Sequence, residues 1–394
     1  MPAYRKLAGS GKFIFDDRYS ASAGFSVECQ TNGRIDGWII ASNFADATEF
    51  QKRIRKRCRL EGNITASCRI VCSSLLVYGA EISGGQHKFR FVSDEIVRLI
   101  EGRLPQTGIV QIKFGLANFI FLGNLHARLL GNIFAFKLNG QYSDLRNKLS
   151  ETGSELCAFA EVTCPPQRIQ LIKETIRGVA VLLSLARGTF VAAAFMEIMV
   201  NSKHVQTEIW PFSVNNYRDL EPLFEVDIVS NLRFFLQTGI PAYSSLHGRL
   251  DLERALRYCV FAKTMRGPLE LEFVTIFLAL ESLLLRLQTQ GIVKVKKATG
   301  KKASLVLRRL RSCLRYYKLR DRLGVSRESP APNFAKIRND IVHTGDFPRR
   351  FDPARARQSY LALIDIYQRV LLSVLAYKGQ YLDCTNGYQP RKLD

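Results

Sequence analysis

Short apolar runs broken by glycines fill the first 165 residues of the chain, whereas from about residue 219 apolar positions recur every three or four residues. The first pattern predicts strands and the second predicts helices. Gly24-Phe25-Ser26-Val27-Glu28-Cys29 and Gly37-Trp38-Ile39-Ile40 flank Thr31-Asn32-Gly33, an Asn-Gly turn between β-prone runs and hence a hairpin. Further strands are expected at 64–77, 88–92, 108–122, 132–138 and 155–162. They are β-branched or aromatic and punctuated by glycine, which fits a sandwich or barrel-like sheet. A short basic helix is expected at 46–59. Pro165-Pro166 breaks the strand pattern, Ile169, Ile172, Ile176, Val179 and Leu183 then give 167–187 a helical period, and 190–199 with 206–211 read as a strand pair. Helices are expected near 219–237, 249–265, 268–290, 302–318, 332–344 and 353–378, with a Gly- and Lys-rich loop at 291–301. The expected fold class is α+β: a β-rich N-terminal module, residues 1–216, followed by an all-α helical domain, residues 217–394.

Composition supports an ordered chain. It has 394 residues, 47% of them hydrophobic and 23% charged, enough to bury two or three cores. Charge changes the picture more. The net charge is +22, and residues 249–394 carry 29 Lys+Arg against 13 Asp+Glu, while the first 248 residues carry 28 against 22. The positive field therefore belongs to the C-terminal third, and such a field attracts polyanions, nucleic acid first and anionic membrane second. The nine cysteines are scattered without a C-x-x-C pair, as expected of free thiols in a reducing cytoplasm. The five histidines lie far apart without zinc-ligand spacing, so neither a metal nor another cofactor is expected. Arg187-Gly188-Thr189 interrupts the most apolar stretch, 178–200, which argues against a membrane span. No signal-peptide pattern opens the chain, and a cytoplasmic location is expected.

Two Gly-Lys pairs, in Gly9-Ser10-Gly11-Lys12 and Thr299-Gly300-Lys301, lack the upstream glycine and the following Ser/Thr of a phosphate-binding loop, and read as turns. The helix expected at 268–290 is more informative. From Phe273 to Leu285 it is apolar on every face and belongs at the centre of a bundle, with Glu281 its one charge. A buried carboxylate needs a partner. Glu281 either meets a core arginine or backbone group, or orients catalytic residues; the two readings merge if the partner is Arg338. In the helix expected at 332–344, Phe334, Ile337 and Ile341 share one arc, Asn339 and His343 share another, and Arg338 lies at the border. Gly345 should stop the helix. An arginine that can neutralise phosphate oxygens, an amide and a proton-moving imidazole thus converge at one helix end.

The order of these features resembles that of HEPN domains: the apolar helix with Glu281, a basic connection, the Ile337-Arg338-Asn339-Asp340-Ile341-Val342-His343-Thr344-Gly345 run, and a closing helix ending in Tyr377-Lys378-Gly379-Gln380-Tyr381. The Phe277-Leu278-Ala279-Leu280-Glu281-Ser282-Leu283 stretch and the Tyr-x-x-x-Tyr ending resemble the ApeA-like branch, found in bacterial anti-phage defence proteins. The resemblance covers roughly residues 249–385, and the N-terminal part is loosely similar to that of the same proteins. It places the family's R-x4-6-H motif on Arg338 and His343, with Asn339 as the usual polar residue after the arginine. It implies a helical bundle, RNA as substrate, and a homodimer with two motifs facing one cleft. Some family members bind RNA without cutting it.

Two basic stretches complete the inventory. Residues 294–327 hold 13 Lys+Arg and one acid, Asp321, with Tyr316 and Tyr317 among them. Lys294, Lys296, Lys297, Lys301, Lys302, Arg308, Arg309, Arg311 and Arg315 are the candidate RNA contacts, the alternative being a solvated helix face. Lys52-Arg53-Ile54-Arg55-Lys56-Arg57-Cys58-Arg59 either binds RNA or balances acids elsewhere. The expected function is a metal-independent endoribonuclease of the defence or toxin type. Its catalytic residues are Arg338, His343, Asn339 and Glu281, and its N-terminal module senses a phage-derived trigger or takes an inhibitory partner. The alternative is a non-catalytic RNA-binding or scaffold protein built on the same basic domain.

Overall fold

The computed structural model of the chain describes residues 3–16, 19–83, 85–212, 222–226, 228–264, 267–295, 305–319 and 334–393. The N-terminal half begins with β1 (Ala3–Phe15), β2 (Ser20–Gln30), β3 (Ile35–Ala41), α1 (Phe44–Gln51), β4 (Arg57–Thr65), β5 (Cys68–Ser83), β6 (Gln86–Ser93) and β7 (Val97–Ile100). It continues with β8 (Val110–Ala117), β9 (Leu125–Leu129), β10 (Asn132–Leu138), α2 (Tyr142–Thr152), β11 (Leu156–Cys164), α3 (Ile169–Arg187), β12 (Ala192–Val200) and β13 (Lys203–Ile209). Helices then dominate: α4 (Val229–Leu250), α5 (Leu252–Thr264), α6 (Leu269–Thr289), α7 (Leu305–Tyr316), α8 (Phe334–Thr344) and α9 (Pro353–Val374). A two-stranded hairpin, β14 (Gln380–Asp383) and β15 (Gln389–Lys392), follows. The fold class is α+β.

Among the described residues, thirteen antiparallel strands form one sheet in the order β4-β1-β2-β3-β6-β5-β7-β13-β12-β8-β11-β10-β9. Because β4 pairs with β5 as well as β1, the first six strands of that order close into a barrel. Alternation along β2 sends Ala21, Ala23, Phe25, Val27 and Cys29 inward, and α1 adds Ala47 and Phe50 to the same core. The remaining strands open out behind the barrel. Helix α3 packs on β12 and also on α4 and α5, so every residue from Gly178 to Arg187 is buried. The largest core consequently draws on residues from Val110 to Cys384, on both sides of position 216. In α9, the fully buried Arg369 donates through Nε to Asp365 Oδ2 at 3.0 Å, and Tyr381 of β14 donates to Asp365 Oδ1 at 3.0 Å, which ties the hairpin to the bundle.

Several expectations change. The helix expected at 46–59 stops at Gln51, Arg55 turns the chain at φ 71°, and Arg57–Thr65 is strand β4. Gly9-Ser10-Gly11-Lys12 is no turn but lies inside β1. A Cβ at Gly9 would collide with the Asn63 carbonyl and one at Gly11 would meet the Glu61 carbonyl at 2.9 Å, so these glycines allow β4 to cross closely. Helix α2 was not expected; only Leu145 and Leu149 bury, and so its period is faint. The helix expected at 219–237 begins at Val229 and continues through Pro241 to Leu250, because Phe235, Leu236, Ile240 and Tyr243 pack firmly enough to override the proline. The last helix ends at Val374, not near 378, and the β14–β15 hairpin means that the C-terminal domain is not all-α.

Candidate functional site

Helix α8 forms as its period dictates. Phe334, Ile337 and Ile341 are buried, and α8 packs on α6. Gly345 ends it with φ 83°, donating its N–H to the Ile341 carbonyl at 2.8 Å. Asn339 and His343, one turn apart, are exposed on the outer face, and Arg338 is half-buried beside them. The stem of Arg338 follows the apolar surface, and its guanidinium lies 6.0 Å from the centroid of the Phe277 ring on α6. Nη1 donates to Asn339 Oδ1 at 3.0 Å. The buried Nε has no acceptor, and among the described residues no carboxylate pairs with this arginine. The site is therefore a guanidinium packed from below and steered from the side by an amide, with an imidazole one turn away. A planar donor fork that no described carboxylate occupies suits a phosphodiester.

Glu281 departs from expectation. It is half-buried, not enclosed, and among the described residues it makes neither an ion pair nor a hydrogen bond. The expected Glu281–Arg338 pair is absent. Phe277, one turn earlier on α6, takes the position beneath Arg338 instead. The reason lies in the helix itself. Although α6 packs against α4, α5, α7, α8 and α9, one face stays open, with Leu271 52%, Leu278 46% and Leu285 41% exposed. These leucines recur every seven residues and make one apolar stripe, at whose edge Glu281 reaches solvent. Val342, beside His343 on α8, is 54% exposed. The seven-residue spacing was visible in the sequence; that it faces outward was not, because an all-apolar helix carries no sign of which face is left over.

Of the candidate RNA contacts, Lys296, Lys297, Lys301 and Lys302 lie outside the described residues, as does Asp321. Lys294 is exposed just beyond α6. Arg308, Arg309 and Arg311 are half-buried on α7 and Arg315 is exposed; α7, like α8, packs on α6. Arg309 Nε donates to Gln288 Oε1 at 2.6 Å, which anchors that side chain to α6. Tyr316 is 56% exposed and meets the Tyr317 ring edge-on at 4.9 Å, leaving a face on which a base could stack. The other basic stretch is largely committed. Lys52 and Arg53 pair with Glu49, Arg57 with Asp94, and Arg59 with Glu61, as expected of residues that balance acids.

Among the described residues, no group of three or more His, Cys, Asp or Glu side chains is placed to hold a metal ion, and no helix is long and apolar enough to cross a membrane. All nine cysteines are free, eight of them buried. A scan against protein-family models, a search of curated proteins and a search of solved structures each return no match to this chain.

Proposed function

We propose that the chain is a metal-independent endoribonuclease of the HEPN type, working in the cytoplasm as a homodimer in anti-phage defence or as a toxin. The observation that carries this reading is the Arg338–Asn339 pair on an exposed helix face, free of carboxylate partners among the described residues and one turn from His343. In the reaction, the RNA 2′-oxygen attacks the adjacent phosphorus while the bond from phosphorus to the 5′-oxygen breaks. Arg338 neutralises the charge that grows on the non-bridging oxygens. One His343 accepts the 2′-hydroxyl proton, and His343 of a second copy donates a proton to the departing 5′-oxygen. Asn339 holds the guanidinium in plane with the phosphate.

A second copy is expected along the open face of α6. Leu271, Leu278 and Leu285 form an apolar stripe on α6, the helix on which α8 packs, and a second copy seated on it would set two motifs in one cleft. The basic α7, packed on the same helix, supplies sequence-independent affinity for the RNA backbone. In this reading the barrel and the sheet behind it hold the enzyme inactive until a trigger, phage-derived in a defence role, engages them.

One observation favours the non-catalytic reading: among the described residues His343 has no hydrogen-bond partner to fix its ring, as a proton-transferring histidine usually has. The products decide. RNA incubated with the protein in chelator should acquire 2′,3′-cyclic phosphate and 5′-hydroxyl ends, and DNA of the same sequence should stay intact. RNA that is bound and remains uncut at high protein excess would assign the chain to the scaffold class.

A further inference from the structure

A cavity of about 590 Å³ opens where the barrel, the rear sheet, α3 and α5 meet, far along the chain from the α8 motif. Its size lies within the range of small-ligand sites. One wall is positive. Arg177 of α3 lies 5.2 Å from the Trp210 ring centroid, and among the described residues no carboxylate pairs with it. Arg257 of α5 stands on the same cavity, tied to Glu253 at 2.8 Å. The link from β6 to β7 on the barrel contributes two acids, Asp94 and Glu95, to the same lining. Asp94 is engaged by Arg57 through two hydrogen bonds of 2.7 Å, and the Glu95 carboxylate beside it accepts from the Ser73 hydroxyl at 3.1 Å. Half-buried Phe190 and Phe212 complete the lining.

We propose that this cavity binds a nucleoside phosphate. An unpaired guanidinium beside a second arginine suits a phosphate group, to which arginine offers paired donors. Carboxylate oxygens of the lining accept from ribose hydroxyls or an exocyclic amino group, and the two phenylalanines give a base its apolar contact. A bare anion would use only the arginines, and a nucleoside only the carboxylates and rings. The site draws on the barrel, the sheet and the helical bundle, so its occupation ties the three together.

Trp210 gives a local readout, since the chain has two tryptophans and Trp38→Phe leaves Trp210 alone. Its fluorescence is followed in that background as ATP, GTP, adenosine or inorganic phosphate is added. The proposal expects saturable change with at least one nucleotide, at least tenfold weaker response to adenosine and to phosphate, a tenfold or greater loss of affinity in Arg177→Gln, and no loss in Arg338→Ala. No saturation with either nucleotide at millimolar concentration, equal binding of phosphate alone, or unchanged affinity in both Arg177→Gln and Arg257→Gln would overturn it. Arg177 and Arg257 are exposed surface residues, and a circular dichroism spectrum equal to the parent's confirms folding of each variant.

Discussion

Arg338 of α8 rests on Phe277 of α6, its guanidinium 6.0 Å from the ring centroid, although the two lie sixty-one positions apart in the chain. The ring holds the arginine on the apolar side, and Asn339 Oδ1 takes its hydrogen bond on the other. Arg338→Ala should therefore lower the rate of RNA cleavage by about 10²-fold or more. Phe277→Leu removes the cation–π contact, worth about 0.5–1 kcal/mol, together with some core packing, so a loss of only a few-fold in the cleavage rate of the folded variant is expected. Single-turnover cleavage rates check the ordering; a Phe277→Leu enzyme as slow as Arg338→Ala would remove Phe277 from this supporting role.

The open stripe of α6 makes a prediction about assembly. Leu278→Asp places a charge at the middle of a face that is exposed in the single chain, so the fold should persist while self-association fails. Light scattering should report a dimer for the parent and a monomer for the variant, with cleavage lost alongside. A monomeric parent with full activity contradicts the shared-cleft mechanism.

Affinity for RNA should depend on salt through α7. Replacing Arg308, Arg309, Arg311 and Arg315 by glutamine should weaken binding across RNA sequences and flatten the dependence of log affinity on log salt by about 0.7 per lost contact to a single strand. Filter binding over a salt series measures the slope, and an unchanged slope assigns these arginines to packing alone.

How far the sequence spoke can be judged from particular residues. The Asn32-Gly33 hairpin, the period of α3, and the buried arc Phe334, Ile337 and Ile341 of α8 were legible because each is a local pattern of one or two periods. The barrel closure was not, since β4 meets β1 and β5 across long separations that no local pattern encodes. Helix α4 runs past the expected end at 237 because its packing face meets partners, Leu182 and Gly178 among them, some sixty residues away. The same limit governed the site. Arg338, Asn339 and His343 were readable along one helix, but the role of Glu281 depended on which face of α6 is open, and the Arg177–Trp210 cavity on residues from four separate elements.

Acid should destabilise the junction of barrel and sheet through Glu208. This buried carboxylate receives Lys173 Nζ at 2.8 Å, Arg98 Nε at 3.3 Å and Trp210 Nε1 at 3.2 Å. Burial pushes its pKa up, but the hydrogen bond and charge of Lys173, the bond from Trp210 and the charge of Arg98 outweigh burial, and the net direction is down. A pKa depressed by folding contributes stability that is present above the unfolded-state value and lost as pH falls through the folded one. The melting temperature should fall on acidification below the ordinary carboxylate range. Glu208→Gln should melt lower at neutral pH and lose less on acidification, as calorimetry across that range would measure.

The buried Asp365–Arg369 pair predicts a cost of its own. Arg369→Met leaves the Asp365 charge without its partner and should destabilise by about 3–5 kcal/mol. Tyr381→Phe, which removes one donor to the same carboxylate, should cost about 1 kcal/mol. Urea unfolding measures both, and the reverse ranking would contradict the pairing.

Proton transfer through His343 of the α8 motif can be read from the rates at which the parent and His343→Ala cleave the same RNA in excess chelator. His343 is exposed and outside the core, so the variant should fold and bind RNA as the parent does. The parent should cleave, and the variant should be slower by about 10²-fold or more. Equal rates, or cleavage that stops in chelator and returns with Mg²⁺, would contradict it.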